Sequence, residues 1–430
     1  MSTKLFWYIR RAVTFVAVAF LAFVLGSFLT TLKLPPGPQI EGAMTAAKAV
    51  RKEYLAYLGV RPVEHLAPLR FDRSGFAGDP ERAMPGVTLL VSIFDERFTA
   101  RLYGRDGALI HEWPIDFFEI DGGGDYRFHT LIHGVALMEN GDLLANMDGR
   151  GIYRFSRCGD LVWKNAHKSH HALDIDDAGR IWTPTYGVPY QPSSLQPVSH
   201  QVDRIGVFDA KTGAVLKEYD LAAILAETDL QGLVLANKEI ARDLLHLNDV
   251  EVLRADMAAA FPLFEAGDIL LSPRRLNQLW VLDGKTQKLK WWHIGPIHSA
   301  HDPDFQPDGT ITVFDNRPGG VPNKSNGGIG RLGGSRVLKI DPVARAHEVM
   351  VASEGDFRLY SAYRGKHQVL ENGNVLIAET DAGRALEVTP EGDIVWEYIN
   401  TFDDETVAWM MDAMRYPPEF AKAFEAPCPS

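Results

Sequence analysis

The sequence predicts an all-β chain, a six-bladed β-propeller with an N-terminal transmembrane helix and short helical insertions. Three observations carry this. Units of four short strands recur every ~35–40 residues, the length of one propeller blade. Their turns are Asn-Gly, Asp-Gly and similar pairs between apolar runs: Arg105-Asp-Gly, Glu139-Asn-Gly, Lys211-Thr-Gly, Gln306-Pro-Asp-Gly, Glu371-Asn-Gly and Pro390-Glu-Gly. Such pairs are the strongest local hairpin signal. Finally, a histidine opens several units at one fixed distance from the turn glycine.

The chain begins with an uncharged stretch, Ala12 to Leu32, long enough for the ~20 residues that cross a bilayer as a helix. Lys4, Arg10 and Arg11 precede it and only Lys33 follows closely, which places the N-terminus in the cytoplasm and the remainder across the membrane. A cleaved signal peptide is the alternative, but the apolar stretch exceeds a signal core of ~7–15 residues and no clean A-x-A site follows. Residues 1–33 are thus a cytoplasmic tip and anchor, and 34–85 a linker and helical segment. In that segment Lys33 to Gln39 is a short stiff linker. Ile40 to Leu58 has helical periodicity (Met44, Ala47, Val50, Tyr54, Leu58).

Residues 86–402 are the propeller. An opening copy from Val87 to Pro114 has three strands. Later copies begin near His133, His171, His246 and His301, and the last runs His367–Leu370, Val375–Glu379, Arg384–Val388 and Asp393–Tyr398. Several end alike, at Asp160-LVW, Lys288-LKWW and Asp393-IVWEY. A β-solenoid is the alternative. Two insertions interrupt the pattern: a loop at Gln191–Gln201, and Leu221–Leu245, whose helical spacing predicts a rim or lid helix. In the tail, residues 403–430, Trp409, Met410 and Met414 stand at helical spacing. They predict a helix that packs on the propeller or offers a surface to a protein partner.

Net charge is -12 and 46% of residues are apolar. The acidic balance argues against nucleic-acid binding, which needs a basic face. Cys158 and Cys428 fit no metal spacing, and a disulfide between them is open. The glycine-rich stretch from Gly319 to Gly334 lacks the ending of a phosphate loop, and Gly122 to Gly124 is a plain turn. No cofactor or metal is called for.

The candidate site comes from the repeat. In His133-GVALMEN-Gly141, His171-ALDIDDA-Gly179 and His301-DPDFQPD-Gly309 the histidine lies eight residues before the glycine. His246-LNDVEVL opens the same way, with its turn delayed towards Gly267. His367 comes two residues later in its copy, so strand alternation would turn it to the same side. First strands of propeller blades line the central channel, so these histidines would ring its axis. The plain alternative is that each bonds a neighbouring blade. Asn248 shares a face with His246, and Arg274 adds a permanent cation with a planar donor fork.

His170-His-Ala-Leu-Asp-Ile-Asp, His246-Leu-Asn-Asp, Asp268-ILLSPR, Lys290-WWHIGP, His301-DPDFQPDGTITVFDN and Gly383-RALEVTPEGDIVWEY resemble the arylsulfotransferase family, over roughly Val87 to Asn400. The resemblance implies a six-bladed propeller that needs no nucleotide donor. It also implies a ping-pong reaction in which a histidine takes a sulfuryl group from an aryl sulfate and passes it to a phenol. The family's nucleophile matches His301. Its supporting residues match His246 and Arg274, with Asn248 beside them, and a further histidine matches the His170–His171 pair, where the repeat register favours His171. His133 and His367 are further candidates for binding substrate. A neutral imidazole suits the attack, and a guanidinium suits sulfate oxygens. His246 or His171 could move the phenolic proton. The larger N-terminal module of the family's well-studied enzymes is not recognisable here. The alternatives are a metal-dependent hydrolase using these imidazoles with Asp249 or Asp302, and a non-catalytic anchored propeller serving as binding subunit or scaffold. A quinone-dependent dehydrogenase would need a cofactor motif that the chain does not display.

Overall fold

The computed structural model describes residues 3–32, 34, 35, 37, 39, 43, 65–115, 120, 131–191, 200–236, 243–318, 329, 332–354 and 357–428. The periodic segment at Ile40–Leu58 lies almost wholly outside them, as do Gly122–Gly124 and most of Gly319–Gly334. By contact the chain divides into two units, residues 1–63 with 126–128, and the remainder. In the first unit, helix α1 (Thr3–Thr31) holds a stretch, Arg10–Leu29, with mean hydropathy 2.5. It is long and apolar enough to cross a membrane.

The second unit is a six-bladed propeller. Four-stranded antiparallel sheets occupy Ile132–Asn165, Asp174–Asp220, Leu247–Ile294 and His301–Ala352. The last blade, Lys366–Ile399, gains a fifth, outer strand from Gly75–Gly78. Its four main strands run Lys366–Val369, Val375–Glu379, Arg384–Val388 and Ile394–Ile399, within a residue of the turn-based reading. The reason is local. The turn glycines Gly141, Gly179, Gly309 and Gly373 all adopt positive φ, between 70° and 85°, a conformation open to glycine without steric cost. Strand faces between blades are filled by near-continuous apolar runs, as in Val87–Phe94, buried throughout.

The tail overturns an expectation. Thr406–Met414 is not helical. Thr406–Ala408 pairs with Leu66–Pro68, and Asp412–Tyr416 pairs with Val87–Phe94 as the inner strand of the first blade. Trp409, Met410 and Met414 match a helix by spacing alone. A free edge beside the first blade offers backbone hydrogen bonds that a short helix would leave unmade. The first blade therefore closes the ring with a strand from the far end of the chain, and the propeller runs past residue 402. After it, Cys428 is disulfide-bonded to Cys158 in the second blade. Cys158→Ser is expected to lower unfolding free energy by about 2–4 kcal/mol, measured by denaturant titration. An unchanged midpoint would mean that the bond adds nothing to closure.

The described part of the helical insertion, Leu221–Ala236, is two short helices rather than one. Helices α2 (Leu221–Ala226) and α3 (Gln231–Ala236) are separated by a turn. Asp220 caps the first through Ala223 N–H at 3.1 Å. Leu221, Leu225, Leu230, Leu244 and Leu245 are buried against blades three and four.

Candidate active site

The first strands of the blades start at the channel, and their openings bear the histidines. His133 stands in Ile132–Leu137, His171 precedes Asp174–Ile175, His246 precedes Leu247–Val252, and His301 begins His301–Phe305. The four rings meet. His171 lies 4.1 Å from His133, 5.1 Å from His246 and 6.0 Å from His301, centroid to centroid. Asn248 joins them, donating from Nδ2 to Ala300 O at 2.7 Å while its buried Oδ1 has no hydrogen-bond partner. The pocket is bounded by His133, His171, Asn248, His301, Arg364 and Lys366 among others. It encloses about 10 Å³, roughly one water's worth of space.

His301 is oriented by its neighbours. Nδ1 lies 2.6 Å from Asn316 Oδ1 and 3.1 Å from Ser299 O, both acceptors. Asn316 cannot present its amide nitrogen instead, because Nδ2 donates to Ser361 O at 2.9 Å and to Arg364 O. Nδ1 therefore carries the proton, and Nε2 keeps its lone pair. Burial, and then the charge of Arg274, push the His301 pKa down to about 3, so the ring is neutral near pH 7. Arg274 follows the strand Ile269–Pro273, with its backbone N–H donating to His246 O at 3.1 Å and its guanidinium 5.1 Å from the Tyr363 ring.

His246 is held in the same manner. Its Nδ1 is 2.6 Å from Asp243 Oδ2, so Nδ1–H donates to the carboxylate and Nε2 is left for proton transfer. Asp243 sits at the end of the helical insertion, which thus borders the site through one side chain. His170 is set back: it stacks on Tyr186 at 4.0 Å, and its Nδ1 lies 2.7 Å from His171 Nδ1, a pair that shares a single proton. Burial, then His246, lower the His170 pKa to about 3.

His367 does not join the ring. Its Nε2 meets Thr312 Oγ1 at 2.7 Å, and its Nδ1 faces Asp302. The alternation argument fails because blade openings carry bulges. Register shifts fall between Ile132 and Gly134, between Leu247 and Val250, and between His301 and Asp304, but none interrupts Lys366–Val369. A bulge adds a residue and reverses parity. The position eight before Gly373 is Gly365, where a Cβ would meet Phe314 Cε1 at 2.4 Å. No histidine fits there, and Arg364 supplies the last blade's group instead.

Three polar residues went unnoticed in the sequence: Asn316, Asp243 and Arg364. Asn316 ends His301-DPDFQPDGTITVFDN, but neither its type nor its spacing marks it as a partner of His301. His171, His246 and Arg364 have φ of 59°, 51° and 60°. Non-glycine residues hold such angles at a cost of about 1–3 kcal/mol, and they concentrate at functional sites.

His133 carries a pH prediction. Burial first, then Arg364, hold its pKa well below the ordinary value, whereas an unfolded histidine titrates near 6.5. Below that pH only the unfolded chain binds this proton, so the residue's contribution to stability falls as pH drops. Going from pH 7 to 5, His133→Gln is expected to gain about 2 kcal/mol of stability relative to the parent chain. Parallel denaturation curves at the two pH values check this, and a constant difference would contradict it.

Buried imidazoles, two of them with Nε2 lone pairs assigned, thus gather beside two guanidiniums at the axis of a propeller, an arrangement chemically suited to an anionic ligand. The chain belongs to the arylsulfotransferase (ASST) family, whose model matches residues 134–401. A search of curated proteins returns no match. Among solved structures it is similar to a protein of unknown function from Bacteroides caccae (13% identity, 73% of this chain and 94% of that one, TM-score 0.48). It is also similar to virginiamycin B lyase from Staphylococcus aureus (12%, 63% and 71%, TM-score 0.37) and to a nidogen/laminin complex (9%, 75% and 97%, TM-score 0.43). These distant likenesses carry no functional argument.

Proposed function

We propose that the chain is a membrane-anchored sulfotransferase that moves a sulfuryl group from a phenolic sulfate ester to a phenol through His301. One observation carries this reading: Nδ1–H of His301 is committed to Asn316 and Ser299, which leaves a bare, neutral Nε2 among three other imidazoles. In the first half-reaction Nε2 attacks sulfur as the S–O(aryl) bond breaks. The aryl oxide leaves with the Nε2 proton of His246 or His171 in its imidazolium form, the ring returning to neutral; on His246 the Nδ1–H stays with Asp243 throughout. In the second, that same histidine removes the proton from the acceptor phenol. Its oxygen then attacks sulfur, the N–S bond breaks and His301 is restored. Arg274 and Arg364 hold the sulfate oxygens, whose negative charge persists throughout. His133 and Asn248 line the cleft, and Asn248 Oδ1 is free to accept from a substrate hydroxyl. His170 backs His171, and His367 lies outside the cleft.

Placement across the membrane rests on α1 and the basic residues before it. The Cys158–Cys428 disulfide supports an oxidising, periplasmic or other extracytoplasmic side for the propeller.

The test is to incubate the full chain, in detergent, with a chromogenic aryl sulfate and no nucleotide, then map modified peptides. Phenol release with an SO₃ adduct on the peptide containing His301 is the expected result. Phenol release with the adduct on another histidine would displace His301 from this role.

A further inference from the structure

The channel continues beyond the imidazoles into a second cavity of about 240 Å³. Its walls bring Asp174, Asp249, Glu251, Asp302, Asp304 and Asp412 together, against Lys366 and Arg254 as the cations. Six carboxyls against two bases leave an uncompensated negative charge in a confined space, which demands protons or a cation. Lys366 is already engaged, with its Nζ 3.1 Å from Asp412 and 3.7 Å from Asp302.

Within this cavity, Asp302, Asp304 and His367 each present a ligand atom, and these atoms lie within 4.8 Å of one another. The His367 side chain is fully buried, and its Nδ1, aimed at the carboxylates, completes no hydrogen bond of good geometry. That nitrogen is 3.4 Å from Asp302 Oδ2, close to the ~3 Å between neighbouring ligands around an ion with bonds of about 2.1–2.3 Å. The other ring nitrogen is bonded to Thr312 Oγ1 at 2.7 Å, the partner that fixes a coordinated imidazole, and lies 3.6 Å from Asp304 Oδ2, so both carboxylates stand at this ring.

We infer that Asp302, Asp304 and His367 form a divalent-cation site in the channel, separate from the sulfuryl-transfer centre. An imidazole with two carboxylates suits a first-row ion such as Mn²⁺ better than a purely oxygen-coordinated one. The ion ties the fifth blade, which carries the two aspartates, to the sixth, which carries the histidine. It also fixes the backbone directly after His301, where Asp302 holds φ 54°. The inference does not depend on the sulfuryl-transfer reading.

The full chain in detergent, stripped with a chelator and dialysed, is titrated with MnCl₂ while free Mn²⁺ is followed by electron paramagnetic resonance. One Mn²⁺ per chain and a rise in Tm on loading are expected. Both should be lost in Asp304→Asn, whose side chain is 31% exposed and so tolerates exchange without loss of the fold. His367→Gln should lose them too, while Arg274→Ala binds as the parent does. A folded protein that takes up no Mn²⁺, or Asp304→Asn that binds it undiminished, overturns the site.

Discussion

His301→Ala is expected to abolish sulfuryl transfer, lowering kcat by about 10³-fold or more, as removal of a covalent nucleophile does. Of the described rings near the pocket, only His246 is held alike, and there the partner is a carboxylate, which suits it to carry a proton rather than to attack sulfur. His246 is tied through Nδ1 to Asp243, His171 shares a proton with His170, and neither nitrogen of His133 has a hydrogen-bond partner. The fold should persist, because Asn316 keeps its bonds to Ser361 and Arg364 when the imidazole is gone. Initial rates with an aryl sulfate, read beside Tm, separate the two effects. Full activity in a folded His301→Ala would end the mechanism proposed here.

Arg274→Ala is expected to lower kcat by about 10²–10³-fold, the usual loss when one preorganised donor to a developing charge is removed. Among charged groups Arg274 acts most strongly on His301, and its stack on Tyr363 holds the fork in place. The effect should be smaller than that of His301→Ala because Arg364 remains. Arg274→Lys should recover only part of the loss, since an ammonium supplies charge without the planar pair of donors. Equal rates for Arg274→Ala and the parent chain would remove this residue from the site.

Much of this architecture was legible because it repeats. Turn glycines with positive φ recur along the chain, so the blades and the level of His133, His171 and His301 could be read from spacing. What could not be read was whatever spacing does not encode. Asn316 reaches His301 from the next strand of the same blade, Asp243 arrives at the end of an insertion, and Arg364 replaces a histidine that Phe314 excludes at Gly365. His367 was misplaced because bulges are invisible to a period-two argument. The tail misled for a related reason: Trp409, Met410 and Met414 fit a helical period, but an unpaired strand edge of the first blade decided their conformation.

The ring-closing strand ties completion of the chain to function. Met411 borders the pocket, and Asp412 holds Lys366 at 3.1 Å. The strand Asp412–Tyr416 is therefore both the latch of the ring and, through the residues beside it, part of the wall of its channel. Without Asp412–Tyr416 the first blade would lose its inner strand and Lys366 its nearest carboxylate, so ring and channel wall stand or fall together.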